Sequence, residues 1–338
     1  MISKKISTVV AATTGVVLTL CPEAPAHVRW FVDGSVDFPE VHYTMDLTNW
    51  LVLGGGVLFF LVACLVHRSA ASWKVTKSLD ARRQQLEPRL WRLVALLSGA
   101  MLLINTAMKI YLAPNLSLSG TGITWFGLGA QALVGILLVG QISFSISGVL
   151  IYVAAVLAIL FNPLSLMIDY LFEFAALGLC LILVGPGLSA LDRKLMHRTG
   201  IDLEPYQHFA LPVIRVGVGL SLVILAIHNK FMNPSMIVAF LDEYHLNFMP
   251  YIGFQGFSNL HYSFSAGVAE TTIGLLVILG IATRFTVLAL TIFFISTLIV
   301  LAPMELVGHL PLFGIAFLLI GCGGGSFRAR SPSDSHRG

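Results

Sequence analysis

The feature that most constrains this chain is a succession of apolar stretches, each about twenty residues long, broken by short polar segments. A helix needs about 20 apolar residues to cross the hydrocarbon core of a bilayer. Beyond the N-terminus, such stretches occupy 47–66, 93–112, 123–139, 142–161, 166–185, 211–227, 263–280, 285–301 and 306–321. They predict an all-α polytopic membrane protein with about nine transmembrane helices in the mature chain. Composition agrees: 57% of the 338 residues are hydrophobic and 11% charged, where a soluble domain carries about a quarter charged. A formal net charge of +3 leaves no basic footprint for nucleic acid, so the expected partner is the lipid bilayer.

The N-terminus has the build of a secretory signal. Lys4 and Lys5 precede an apolar run over 6–20, and Ala24-Pro25-Ala26 supplies a small-residue cleavage site. Residues 1–26 are therefore expected to leave as a signal peptide, with His27 the first mature residue. Cys21 would leave with it, and Cys64, Cys180 and Cys322 fall in or beside apolar stretches. No CxxC pair and no disulfide framework follows from that placement.

Basic residues then orient the chain. Arg68, Lys74, Lys77, Arg82, Arg83, Arg89 and Arg92 lie between the first two stretches, and Arg193, Lys194 and Arg198 lie between the fifth and sixth. Arg284, Arg328, Arg330 and Arg337 complete the set, and all fall on one side if spans alternate. The opposite loops hold only Arg29. The positive-inside rule puts the mature N-terminus in the periplasm and the C-terminus in the cytoplasm of a bacterial inner membrane.

After the first span, one four-helix pattern occurs twice. Lys109 is followed by Pro114 and Lys230 by Pro234, and Gln131 stands four before Gly135 as Glu270 stands four before Gly274. Asp169, Glu173, Gly178 and Gly185 align without a gap with Glu305, His309, Gly314 and Gly321. Expected boundaries are 1–26 for the signal peptide, 27–90 for an exported segment with the first span and a basic loop, 91–190 and 191–327 for two parallel four-helix units, and 328–338 for a disordered tail.

Ionisable groups in a bilayer are costly and usually mark function. Here they gather near the exported ends of the second unit: His228, Lys230, Glu270, Glu305 and His309. Glu305 and His309, four apart, share a helix face. Lys230, Glu270, Glu305 and His309 are expected to converge on one pocket, with Glu270, Glu305 and His309 as proton-handling groups and His228, Lys230 and His261 binding a cofactor. Three chemistries fit: proton-coupled redox work near neutral pH, a metal site for copper or another divalent ion using His27 and His309, or a structural charge pair. The loop over 232–262, rich in aromatics, suits a surface-lying segment, a cap or a docking site for a periplasmic or membrane redox partner. No Walker loop, dinucleotide fingerprint or HExxH occurs.

The second unit resembles the DoxX-like family of small four-helix membrane proteins. The resemblance rests on Arg215-Val-Gly-Val-Gly-Leu, His228-Asn-Lys-Phe-Met-Asn-Pro234, Ala269-Glu270-Thr-Thr-Ile-Gly274, Gly280-Ile-Ala-Thr-Arg284 and Glu305-Leu-Val-Gly-His309. It implies a quinone-linked respiratory accessory role, as a subunit of an oxidoreductase, and assigns no catalytic residue by itself. A copper-handling protein and a non-catalytic membrane scaffold are the alternatives. The tandem doubling, signal peptide and extra first helix depart from the simple family pattern.

Overall fold

The computed structural model describes residues 38, 40–300 and 303–327, and at 296, 297, 299, 300 and 303–305 the backbone alone. The expected signal peptide, His27, the Glu305 side chain and the tail at 328–338 lie outside the described residues. Within them there are twelve α-helices and no strand. They are α1 (Leu47–Ala70), α2 (Lys74–Ala81), α3 (Arg83–Ala107), α4 (Thr121–Val139), α5 (Phe144–Phe161), α6 (Leu164–Leu188), α7 (Ala190–Thr199), α8 (Ala210–Leu225), α9 (Pro234–Tyr244), α10 (Asn259–Leu279), α11 (Thr283–Val300) and α12 (Pro303–Cys322).

Seven helical stretches are long and apolar enough to cross a membrane: α1, α3, α4, α5, α6, α10, and the run Glu204–Phe231 that contains α8. By length and composition the chain is a multi-pass membrane protein. Thr283–Ile295 of α11 and Leu306–Cys322 of α12 are apolar but shorter.

Local chemistry sets the helix ends. Asp46 caps α1 by accepting from the Asn49 N–H at 2.9 Å. Ser143 caps α5, and buried Asp192 at the start of α7 reinforces that cap, accepting from the Phe144 and Ser145 N–H groups at 2.8 and 3.2 Å and from the Ser143 hydroxyl. A carboxylate there satisfies orphan donors and faces the positive end of the helix dipole. Gly200 and Gly280 end α7 and α10 with φ of 68° and 72°, a conformation that costs glycine little.

One helix ends earlier than its apolar run predicts. The stretch 93–112 reads as continuous, yet α3 stops at Ala107 and the chain turns through Lys109 and Leu112, both at positive φ. Side chains hold that turn. Asn105 donates to the Leu112 carbonyl at 2.9 Å, and Gln131 of α4 accepts from the Leu112 N–H at 2.6 Å while donating to the Ile110 carbonyl at 3.0 Å.

The helices pack across the two predicted units as well as within them. α3 lies along α12 and α6 lies along α8, much more closely than α3 meets α6 or α8 meets α12. α5 lies along α6, and α3 and α8 lie along α4 and α10. One buried apolar cluster runs through all of this, including Trp91, Leu138, Phe144, Leu181, Ile214 and Leu318. Two crossings repeat. A Cβ on Gly99 would meet the Gly135 carbonyl at 2.9 Å, and one on Gly219 would meet the Gly274 carbonyl at 2.8 Å. Such close approach of small residues is how helices associate in lipid, where dispersion contacts replace the hydrophobic drive.

α1 stands apart, touching α10 along a narrow face. Gly56 sits against Val268, Phe59 stacks on Phe285 at 6.2 Å, and His67 Nδ1 accepts from the Ala282 N–H at 3.1 Å. Leu51, Val57, Leu58, Leu61 and Leu65 are exposed, as lipid-facing side chains are.

Candidate functional site

α8 does not stop where its apolar run ends. It widens into a π-helical turn, Ala226–Phe231, before Pro234 starts α9. A π turn inserts a residue into the helical register and is frequent at functional sites. Asn233 steadies it, donating to the His228 carbonyl at 2.6 Å. Residues two apart on a helix face away from each other, so this turn directs His228 and Lys230 to opposite neighbours.

His228 meets α6. Its Nδ1 lies 2.8 Å from Asp169 Oδ1, with the two side chains 16% and 5% exposed. Lys230 meets α10, donating from Nζ to Glu270 Oε2 at 2.7 Å, with both side chains 13% exposed. Each charge-bearing side chain thus has an opposite-type partner, which is the arrangement a low-dielectric setting demands.

The segment at 40–46 closes over this end of the molecule, here the capped end. Tyr43 OH donates to the Lys230 carbonyl at 2.9 Å and shares a 2.7 Å hydrogen bond with Ser263 Oγ. Its ring meets Phe264 and Phe231 edge-on, at centroid distances of 5.1 and 6.4 Å. Burial pushes the Tyr43 phenol above its ordinary pKa, against a smaller lowering by Ser263. Val41 N–H donates to Ser235 Oγ at 3.1 Å. Asp46 pairs with His261 Nε2 at 2.8 Å. The Asn49 N–H first, and His261 second, hold the Asp46 carboxyl below its ordinary value.

The sequence-predicted residues thus separate. Lys230 and Glu270 come together. His261 serves the cap of α10, accepting from the Ser258 N–H, and ties that helix to Asp46. His309 is buried and packs on Phe294 of α11, with ring centroids 4.9 Å apart. Sequence reasoning did not pick out Tyr43 or Asp46, and used Asp169 only as a repeat position. An acidic residue within an apolar stretch is itself a signal, and applied to Asp169 it finds the partner of His228.

The equivalent positions in the first unit do different work. Gln131 stands where Glu270 stands and is spent on the turn after α3, donating also to the Leu102 carbonyl and Thr106 Oγ1 at 3.1 and 3.0 Å. Lys109, the counterpart of Lys230, borders a separate hollow of about 350 Å³ with Thr121, Thr124 and Trp125.

Among the described residues, no three His, Cys, Asp or Glu side chains stand close enough to hold an ion. The His–carboxylate contacts are pairs: His228–Asp169, His261–Asp46, and His42–Glu40 at 3.8 Å with both side chains well exposed.

Fold and site define a multi-pass helical membrane protein with two part-buried contacts, His228–Asp169 and Lys230–Glu270, at one end of its helices. The chain matches no family model, no curated protein and no solved structure.

Proposed function

We propose that this is an inner-membrane protein of DoxX-like build, about nine spans arranged as one helix and two parallel four-helix units, that handles protons in quinone-linked redox support. The repeated glycine crossings, Gly99 with Gly135 and Gly219 with Gly274, support the duplication. The basic loops support an orientation with the capped end outward. The observation that carries the functional reading is the π turn at 226–231, which offers His228 to Asp169 and Lys230 to Glu270 under Tyr43.

A carboxylate behind an imidazole fixes its tautomer and orientation. Glu270 has Lys230 Nζ as its partner at 2.7 Å. The faces of Phe231, Phe264 and Tyr43 give a planar apolar ring something to lie against. In this reading the ligand is a quinone head group, which when bound would supply two-electron, two-proton chemistry. His228 and Tyr43 are the groups to hold it at its ring oxygens, while Glu270, Glu305 and His309 are the proton-handling groups of this reading.

A second reading has its own support. Mutual neutralisation of Lys230 and Glu270 suits a non-catalytic scaffold or assembly subunit equally. Quinol-dependent electron transfer in membranes containing the wild type, His228→Asn, Glu270→Gln, Glu305→Gln or His309→Leu separates the two. Proton handling predicts a fall of about tenfold or more per inserted protein. Equal transfer in all variants defeats it and leaves the scaffold.

A further inference from the structure

Glu173 lies one turn beyond Asp169 on α6, within the membrane-crossing stretch. Its side chain is partly buried, and among the described residues its carboxyl has neither a hydrogen-bond donor nor a counter-charge. It borders a cavity of about 30 Å³ between α3, α6 and α12, walled also by Asn105, Tyr170, Gly308 and Leu312. That volume is about one water molecule's share of the liquid, and too small for a ring-sized ligand.

Among the described residues, the cavity lining carries no Lys, Arg or His. From α3 come Met101 and Asn105, and the Asn105 amide donates to Met101 and to the Leu112 carbonyl. From α12 come Gly308 and Leu312, while neighbouring His309 packs on Phe294. The turn after α3 contributes Leu112, Ala113 and Pro114. On α6 itself, the Tyr170 hydroxyl donates to Asn115 Oδ1 at 2.7 Å, and Asp169 is held by His228.

An ionised carboxylate in low dielectric needs a cation or several donors, whereas a neutral carboxyl needs a single partner that one water supplies. We propose that Glu173 is a proton-binding site within the membrane domain, neutral at rest, which exchanges its proton with one water held in this cavity. The step is a concerted swap with no net charge: the carboxyl O–H passes its proton to the water while one water O–H passes its own to the other carboxyl oxygen, so two O–H bonds break, two form, and no ion is left in the cavity. The inference does not rest on quinone chemistry. Glu173 can bind a proton in a protein that never meets a quinone, and the test below reads no electron transfer.

The test is infrared spectroscopy of the purified protein in lipid nanodiscs, in H₂O and D₂O, with glutamate carrying a ¹³C-labelled carboxyl. At about neutral pH, well above the ordinary glutamate value, the wild type should show a protonated-carboxyl C=O band that shifts in D₂O and is missing from Glu173→Gln. If Glu173→Gln does not insert, Glu173→Asp serves instead, because the residual aspartate is unlabelled and the labelled band should vanish. A wild-type spectrum with only ionised labelled carboxylates at neutral pH overturns the proposal. So does a protonated band that survives either substitution, or one that fails to shift in D₂O.

Discussion

Asp169 and His228 stand 59 residues apart in the chain and meet at 2.8 Å, joining the start of α6 to the π turn that ends α8. The contact bridges the two predicted four-helix units along one of their two close seams, α6 against α8. Removing one partner leaves the other largely buried without it. Asp169→Ala should therefore cost about 1–3 kcal/mol of stability. Thermal unfolding in detergent checks this, and a cycle with His228→Ala should show the two losses to be strongly non-additive.

The Lys230–Glu270 pair should behave as a buried ion pair. Breaking it from one side strands a charge, at a cost of about 3–5 kcal/mol, while replacing both members is often close to neutral. Lys230→Met or Glu270→Gln alone should lower the unfolding midpoint clearly, and the double variant should recover most of that loss. Equal midpoints for the single and double variants would show that the pair contributes no mutual compensation.

Acid should open the cap. The Asp46 carboxyl is depressed below its ordinary 3.8 by the Asn49 N–H and by His261. A group whose value is lowered on folding stabilises the folded form above its unfolded value and loses that contribution as pH falls through the folded one. The segment at 40–46 should accordingly stay protected above pH 3.8 and loosen below it. Hydrogen exchange of that segment reads the change directly, and Asp46→Asn should abolish its pH dependence.

The repeated glycine crossings predict matched defects. A methyl added at Gly99 or at Gly219 meets a backbone carbonyl at 2.9 or 2.8 Å, too close for either helix to absorb without moving. Gly99→Ala and Gly219→Ala should each cost about 1–3 kcal/mol. If one is tolerated freely and the other is not, the two crossings are not equivalent.

The apolar runs made most of the helices legible, because a span is a local property of some twenty residues. The errors lie where distant groups decide. The end of α3 at Ala107 is set only in part nearby, because Asn105 clamps Leu112 together with Gln131 from the next helix. Nothing in His228-Asn-Lys230 announces a π turn, which depends on Asn233 and on carboxylates supplied by α6 and α10. Of the ionisable groups read from the sequence, Lys230 and Glu270 meet at 2.7 Å. His309 packs on Phe294, and Glu173, noted only as a repeat position, lines the cavity under the turn after α3.

The most direct measurement is the binding of a short-chain quinone to the purified protein in nanodiscs, read as quinone retained per protein. The account predicts saturable binding by the wild type and a drop in affinity of about tenfold or more, roughly one lost charge-assisted hydrogen bond, in His228→Asn and Glu270→Gln variants that keep their helix content. Wild-type protein that retains no quinone, or variants that retain it as tightly, would contradict the claim that the capped end is a quinone-linked proton site.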